Sequence, residues 1–480
     1  MRLSPSGFRE YDARWRFPED IDLSGMRSVG LALGTQLMRR RIGPQIILGH
    51  DFRSYSPSVK DALAEGLQMA GAHVRDIGLS LSPMAYFAQA HLDIPAVAMV
   101  TASHNPNGWT GVKMGFDHPC THGPEDMEEL REIATTGDWT VQGGGRIDRV
   151  DGIKEAYLAD LTNGPGLSRP LKIVCATGNG TAGAFAPDLL RRLGAEVVER
   201  HCQLDHSFPN YNPNPEALEM LHDMAQAVRA SGADFALGFD GDGDRCGVVD
   251  AQGNEVFADK MGLILARDMA RAHPGSHFLA DVKSTGLFAT DPVLAEHGAC
   301  VEYWKTGHSH MKRRLRDTGA LAGFEKSGHY FIGPPIGRGY DCGLRVAVEI
   351  CRLMDRHPLK SLSDLVDELE PCWTSATLSP ACPDDQKYAV VARMRDRLEQ
   401  MQQAGEKIAG RRIAGMLTVN GARVKLEDGS WGLIRASSNT PNLVVVCESM
   451  QSAEDLRHIF DGFNALLQQE PSVGAYDQTL

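Results

Sequence analysis

The 480-residue sequence lacks any run approaching the roughly 18 consecutive apolar residues that a membrane-spanning helix requires. It also lacks an apolar opening: MRLSPSGFREYDARWRF sets Arg2, Arg9, Glu10, Asp12 and Arg14 where a secretory signal needs a hydrophobic core. These two absences create the expectation of a cytoplasmic protein with no membrane partner. Clustered positive charge is missing as well. There are 49 Lys plus Arg against 62 Asp plus Glu, a formal charge of -13, and no basic block longer than a few residues. A sequence-independent nucleic-acid binder neutralises phosphates with grouped cations, so nucleic acid is excluded as an expected partner. The ten cysteines are scattered with no CxxC pair, which removes zinc knuckles and redox motifs and leaves buried free thiols as the expectation. No GxSxG elbow and no HExxH occur, so serine-hydrolase and zincin chemistry have no support.

What is present is an ordinary globular composition, 42% hydrophobic and 23% charged, in a chain too long for one core. Its beginning alternates short β-branched runs with helical periodicity. QIILGHD (45–51) reads as a strand, SPSVKDALAEGLQMAGAH as a helix, and AVAMVTAS (96–103) as a second buried strand. The pattern restarts at LKIVCA with the turn TGNGTAG, a helix, the strand EVVE, the loop SFPNYNPNP, and the strand DFALGFD. A third round runs through HFLADVKST, VEYWKTGHS, the basic helix MKRRLRDTG and the strand-like ALAGFEKSGHYF. Alternating strands and helices predict α/β units with largely parallel sheets. From about residue 370 a long polar helix precedes a meander of short strands and a last amphipathic helix, an α+β pattern; HPLKSLSDLVDELEPCW, punctuated by Pro358 and Pro371, reads as the linker before it.

The strongest chemical signal is GFDGDGDRCGVVD. Asp240, Asp242 and Asp244 alternate on one side of an extended segment, and Gly241 and Gly243 let the backbone bend until the carboxylates converge. Three such anions need a cation. An EF-hand fails by position, because the sixth residue from Asp240 is Arg245 and the twelfth is Ala251; an incomplete all-oxygen set suits Mg²⁺ completed by phosphate or water. TASHNPNGWTGVKMG places Ser103 at a strand-to-loop junction, with His104, Asn105 and Lys113 as surrounding donors. GFEKSGHY offers Glu325, Ser327 and His329 in alternation, suited to sugar hydroxyls. RASSNTPN combines Arg435 with Ser437, Ser438, Asn439 and Thr440, a guanidinium beside hydroxyl and amide donors that fits a phosphate dianion. A GxGxxG at Gly178, Gly180 and Gly183 follows a strand, the context of a dinucleotide turn, though glycines at a tight βα turn commonly hold no ligand.

Taken in order, TASHNP, DGDGDR, ExSGH and RASSNTP, together with FREYDARW near the start, DVKST, WKTGHS and CATGNGTAG, resemble the α-D-phosphohexomutase superfamily, phosphomannomutase/phosphoglucomutase group, over nearly the whole length. The resemblance implies four domains around a central cleft: three similar α/β units with mixed or parallel sheets at 1–155, 156–253 and 254–368, and a C-terminal α+β domain at 369–480. It implies that Ser103 carries a phosphoryl group and that Asp240, Asp242 and Asp244 hold Mg²⁺ together with an oxygen on Ser103. It implies that Glu325, Ser327 and His329 face sugar hydroxyls, and that Arg435, Ser437, Ser438 and Asn439 grip the unreacting phosphate. A register slipped by one would bring in Thr440. Tyr11, Arg14, Lys113, Arg245, Lys283 and His308 also fall on active-site positions. The TGNGTAG glycines become a structural turn.

The implied activity interconverts hexose 1-phosphate and hexose 6-phosphate, of mannose or glucose, through a phosphoserine and a hexose 1,6-bisphosphate intermediate and activator. Lys113, His104 and His329 all remain open as proton carriers, and phosphoglucosamine mutation or a catalytically silent sugar-phosphate binder are the alternatives. Lys326 and Phe324 depart from the usual sugar loop, so this pattern does not choose the hexose.

Overall fold

The structure, a computed structural model, describes residues 1–478 and 480. The chain separates into two compact units, Met1–Asp268 with Lys312–Val366, and Met269–Met311 with Asp367–Leu480.

The first unit contains two sheets with helices packed on them. In the first sheet, Gln45–His50 pairs in parallel with His73–Leu79 and Ala96–Val100, and Trp109–Gly115 then runs antiparallel to Ala96–Val100. Every residue of AVAMV is buried, as a strand covered on both faces should be. The expected strand 96–103 stops at Val100, because Thr101 and its followers leave the ladder to build a loop. The helix expected to run through His73 stops at Met69, since His73 already belongs to the next strand. WTGVKMG, which carried no strand expectation, forms one. This strand brings Lys113 opposite Met99, and so beside the end of the strand that leads to Ser103.

The second sheet holds Lys172–Ala176, Glu196–Arg200, Phe235–Phe239 and Cys246–Asp250. Phe235–Phe239 and Cys246–Asp250 form an antiparallel hairpin whose turn is residues 240–245, and Glu255–Val256 adds a fifth, edge strand. The segment ALAGFEKSGHYF, expected as one strand, is instead a hairpin of Ala322–Phe324 and Tyr330–Ile332 with a turn between. Gly328 has φ +87°, which reverses the chain there. The expected linker carries a short helix, Leu362–Asp367.

The glycine-rich turn after Lys172–Ala176 is filled by the protein itself. It leads into a short 3-10 helix, Thr181–Ala184. A Cβ on Gly183 would lie 2.2 Å from the Cys202 carbonyl oxygen, and one on Gly178 would lie 3.0 Å from Pro213 and Tyr211. Close packing of the chain on itself therefore requires these glycines, in line with the structural turn that the family resemblance implies.

In the second unit, His277–Asp281 pairs in parallel with Cys300–Trp304. A separate antiparallel sheet runs in the order Trp373–Thr374, Leu443–Ser449, Trp431–Ala436, Ala422–Leu426, Arg411–Leu417 and Lys407–Ile408. Helices Lys387–Ala404 and Ala453–Leu467 bury Val390, Leu398, Ile459 and Phe463 in a core with Val424, Ile434 and Val445 from this sheet. Among the described residues no helix is long and apolar enough to cross a membrane. The ten cysteines are free thiols; Cys300 is exposed and Cys372 half-buried, and the other eight are buried as expected.

Candidate active site

Three loops of the first unit converge. Ser103 follows the buried strand in the left-handed region, φ +51°. Its backbone N–H donates to Thr101 Oγ1 at 2.9 Å, and Ala102 N–H donates to Asp51 Oδ2 at 3.3 Å. The Ser103 hydroxyl has one hydrogen and two acceptors in reach, Asp240 Oδ2 at 3.1 Å and His104 Nδ1 at 3.2 Å. Burial, together with the cations Arg245 and Arg14, holds His104 well below the ordinary imidazole pKa, so the ring is neutral and Nδ1 can accept.

The hairpin turn, rather than extended alternation alone, gathers Asp240, Asp242 and Asp244. Gly243 takes φ +71° and donates its N–H to the Asp240 carbonyl at 3.2 Å. All three carboxylates are fully buried, and each offers an oxygen within 4.8 Å of the others. Lys113 donates to Asp242 Oδ2 at 2.7 Å and also to Asp244 Oδ2. Burial alone would lower this ammonium, but Asp242 and Asp244 raise it well above the usual lysine value. Burial and the charges of Asp244 and Asp242 push the Asp240 carboxyl up to about 7. Arg245 answers with Nε to Asp240 Oδ2 at 3.1 Å and a guanidinium contact to Glu216 at 3.0 Å.

These donors fit a hard divalent cation. They are all oxygens, and Asp242 Oδ1 and Asp244 Oδ1 are buried without a hydrogen bond, leaving lone pairs unspent. The contact to Ser103 is tight as well: a Cβ on Gly241 would lie 2.4 Å from the Ser103 carbonyl oxygen. Glycine is what lets the two loops touch.

The sugar-loop candidates stand beside this hairpin because Arg245 and His329 form a backbone bridge and Cys246 N–H donates to the Gly328 carbonyl at 3.0 Å. His329 Nδ1 lies 3.0 Å from Asp341 Oδ2 and 3.9 Å from Asp244 Oδ1. Burial would lower its pKa, yet Asp244 and Asp341 raise it. Ser327 donates to Glu325 Oε2 at 3.1 Å, and Glu325 is buried. Tyr11 is buried nearby in sequence to Arg14, which donates to the Ala102 carbonyl at 2.9 Å and Asn105 Oδ1 at 2.6 Å and pairs with Asp12 at 2.8 Å.

In the second unit, Lys283 sits on a buried turn after His277–Asp281. Arg423 fastens that turn to the sheet. Its guanidinium donates to the Val282 and Ser284 carbonyls at 2.9 and 2.7 Å and stacks on Trp431 and Tyr303 at 3.7 and 4.2 Å from their ring centres. His308 is buried at the start of helix His308–Thr318. Arg435, one residue before the end of its strand, donates NH2 to Ser438 Oγ at 3.1 Å, while its buried Nε donates to no acceptor among the described residues. Ser437 bonds Thr440 at 2.7 Å, and its Oγ accepts from the Asn439 and Thr440 N–H groups at 3.4 and 3.3 Å. The loop thus points an unspent guanidinium nitrogen and several hydroxyls in one place, chemistry suited to an anion.

Family models described as phosphoglucomutase/phosphomannomutase α/β/α domains I, II and III match residues 5–141, 155–253 and 257–372. A phosphomannomutase/phosphoglucomutase of Pseudomonas putida is 34% identical over 472 residues, 98% of this chain and 97% of that protein. The chain belongs to the phosphoglucomutase/phosphomannomutase family. A phosphoglucomutase of Neisseria gonorrhoeae is 32% identical over 97% of both chains. The crystal structure of a phosphoglucomutase/phosphomannomutase family protein from Burkholderia thailandensis superposes with a TM-score of 0.86 at 30% identity, covering 98% of this chain and 99% of that one.

Several residues of this family member's site carried no signal in sequence. Asp341 faces His329 and pairs with Lys312 at 2.8 Å, Ser82 donates to Asp242 Oδ2 at 2.5 Å, and Glu216 engages Arg245. Each is a single polar residue far from any motif in the chain. Only folding shows what it touches.

Proposed function

We propose that the protein is a phosphohexomutase that interconverts hexose 1-phosphate and hexose 6-phosphate, of mannose or glucose, through phosphorylated Ser103. The observation that carries this reading is the contact of Ser103 Oγ with Asp240 inside a buried set of three carboxylates and three cations, Lys113, Arg245 and Arg14. The relatives named phosphomannomutase/phosphoglucomutase and phosphoglucomutase, similar over nearly their full lengths, support the same activity.

Mg²⁺ held by Asp240, Asp242, Asp244 and a Ser103 oxygen would supply charge neutralisation for phosphoryl transfer. The rest falls to the chain. Ser103 presents its phosphoryl group to the free hydroxyl of the sugar phosphate; the Oγ–P bond breaks as the sugar O–P bond forms, giving a hexose 1,6-bisphosphate. Lys113 and Arg245 stabilise charge on the transferring group, which is most of what such a transfer asks of a protein. Lys113, His104 and His329 stand open as carriers of the hydroxyl proton; His104, held neutral, can accept it, whereas Lys113, held as an ammonium, can only give one up. After the bisphosphate turns end for end, its other phosphate returns to Ser103. Glu325, Ser327 and His329, with Tyr11 and Arg14, would read sugar hydroxyls. Lys283, His308 and the loop of Arg435, Ser437, Ser438, Asn439 and Thr440 would take the unreacting phosphate. The expected place of action is the cytoplasm.

Intact-mass measurement tests the nucleophile: a species about 80 Da heavier, absent from Ser103→Ala, is expected. Turnover of glucose 1-phosphate, mannose 1-phosphate and glucosamine 1-phosphate with a bisphosphate activator then ranks the hexoses. Full turnover by Ser103→Ala would sink the assignment.

A further inference from the structure

Ser103 adopts a left-handed conformation that is strained for a non-glycine residue and persists only where the surroundings hold it. What holds it is unusual in one respect: the five consecutive carbonyls from Ala102 to Pro106 all accept side-chain donors. Arg14 takes Ala102 and Asn212 takes His104. The other three go to one guanidinium. Arg53 donates through NH2 to the Ser103 and Asn105 carbonyls at 3.1 and 2.5 Å, and through NH1 to the Pro106 carbonyl at 2.8 Å.

Arg53 is itself fixed. It is 3% exposed, and its Nε lies 3.4 Å from Asp51 Oδ2, the same carboxylate oxygen that accepts from Ala102 N–H. Phe208 lies over the guanidinium at 5.3 Å, and Asn107 Nδ2 donates to the His206 carbonyl at 2.5 Å. The loop 203–216, rich in proline and asparagine, thereby touches both the Ser103 loop and the Arg53 that grips it.

We propose that Arg53 is a positioning residue for phosphoryl transfer, setting the place of Ser103 Oγ by clamping three carbonyls of its loop, with Asn212 bracing a fourth. The proposal rests on the mutase reading, since it assumes that Ser103 carries the phosphoryl group. A planar guanidinium serves three acceptors at once; a lysine ammonium in the same place keeps the charge but lacks the fork. Displacing a reacting atom by about 1 Å can cost about a hundredfold in rate.

The test compares wild type, Arg53→Lys, Asn212→Ala and the double variant as full-length enzymes. Each is assayed for hexose phosphate interconversion, with the phosphorylated fraction read by intact mass and the folded fraction by circular dichroism. For Arg53→Lys the expectation is a kcat about a hundredfold lower per phosphorylated, folded enzyme, with KM within about threefold. Asn212→Ala should lose about tenfold in kcat, and the two losses should combine less than additively because both act on one loop. Asn212 contributes one hydrogen bond from a surface loop, so that variant tests the brace even if Arg53→Lys does not fold. A kcat within about twofold of wild type in either folded variant overturns the proposal while leaving the mutase reading intact; so does lost thermal stability with kcat unchanged. Wild-type enzyme without mutase turnover overturns both, and is read before any variant is made.

Discussion

His122 offers a quantitative test of how the first unit responds to acid. Its ring is buried, with Nε2 donating to Gln36 Oε1 at 2.9 Å and the ring edge-on to Phe116 at 4.7 Å. The charged groups facing it are Asp126, Glu129, Arg40 and Arg313. Arg40 is paired with both Asp126 and Glu129, so much of their attraction for a proton on His122 is already spent. Burial therefore dominates and pushes the imidazole down to about 4 from its ordinary 6.5. Between those values the unfolded chain binds a proton that the folded chain does not, so stability rises with pH. The contribution is complete above the unfolded value and is lost as pH falls toward the folded one. Integration gives a loss of about 2 kcal/mol by about pH 5, approaching about 3 kcal/mol near pH 4. Ring resonances of ¹³C-labelled histidine, assigned by their absence in His122→Gln, should show no titration above about pH 5. Pulse proteolysis in urea should show the stability of wild type relative to His122→Gln falling by about 2 kcal/mol between about pH 7.5 and about pH 5. A ring that titrates near pH 6 or above, or a flat difference between the two proteins, would refute the reasoning.

Two further outcomes follow from named contacts. Gly241→Ala sets a methyl group 2.4 Å from the Ser103 carbonyl, where backbone must give way, and should reduce kcat by about a hundredfold and also lower the melting temperature, measured by steady-state kinetics beside a melting curve; unchanged turnover would mean that the two loops are not held in contact during catalysis. In the second unit, burial would raise the Glu448 carboxyl, but hydrogen bonds from Gly286 N at 2.7 Å, Trp431 Nε1 at 2.7 Å and Thr374 Oγ1 at 2.8 Å hold it below its ordinary value. Glu448→Ala leaves those buried donors unpaired and should cost about 3 kcal/mol or more in urea unfolding of that unit, whereas Glu448→Gln, which keeps an acceptor, should lose less; equal losses would count against the hydrogen-bond account.

Sequence alone carried the chemistry that is written in short spacings. DGDGD reads as a cation site because three carboxylates two residues apart cannot be buried together unaided, and the buried, partly unbonded oxygens of Asp242 and Asp244 bear out that crowding. TASHNP reads as a strand-end loop because a fully apolar run breaks there into polar residues. What spacing could not reveal was pairing across long stretches of chain. The strand Trp109–Gly115 escaped notice because Gly111 and Lys113 interrupt its apolar pattern, and Lys113 is buried only through contact with carboxylates more than a hundred residues away. The break in ALAGFEKSGHYF was likewise invisible, since Gly328 reverses the chain at a place where alternation still looked continuous. Arg53, Asp341 and Ser82 are ordinary polar residues in the linear chain, and the tertiary structure alone decided that they line or brace the site. Motifs are local and so survive in one dimension, whereas the burial that gives a lone arginine three carbonyl partners exists only after distant segments have packed.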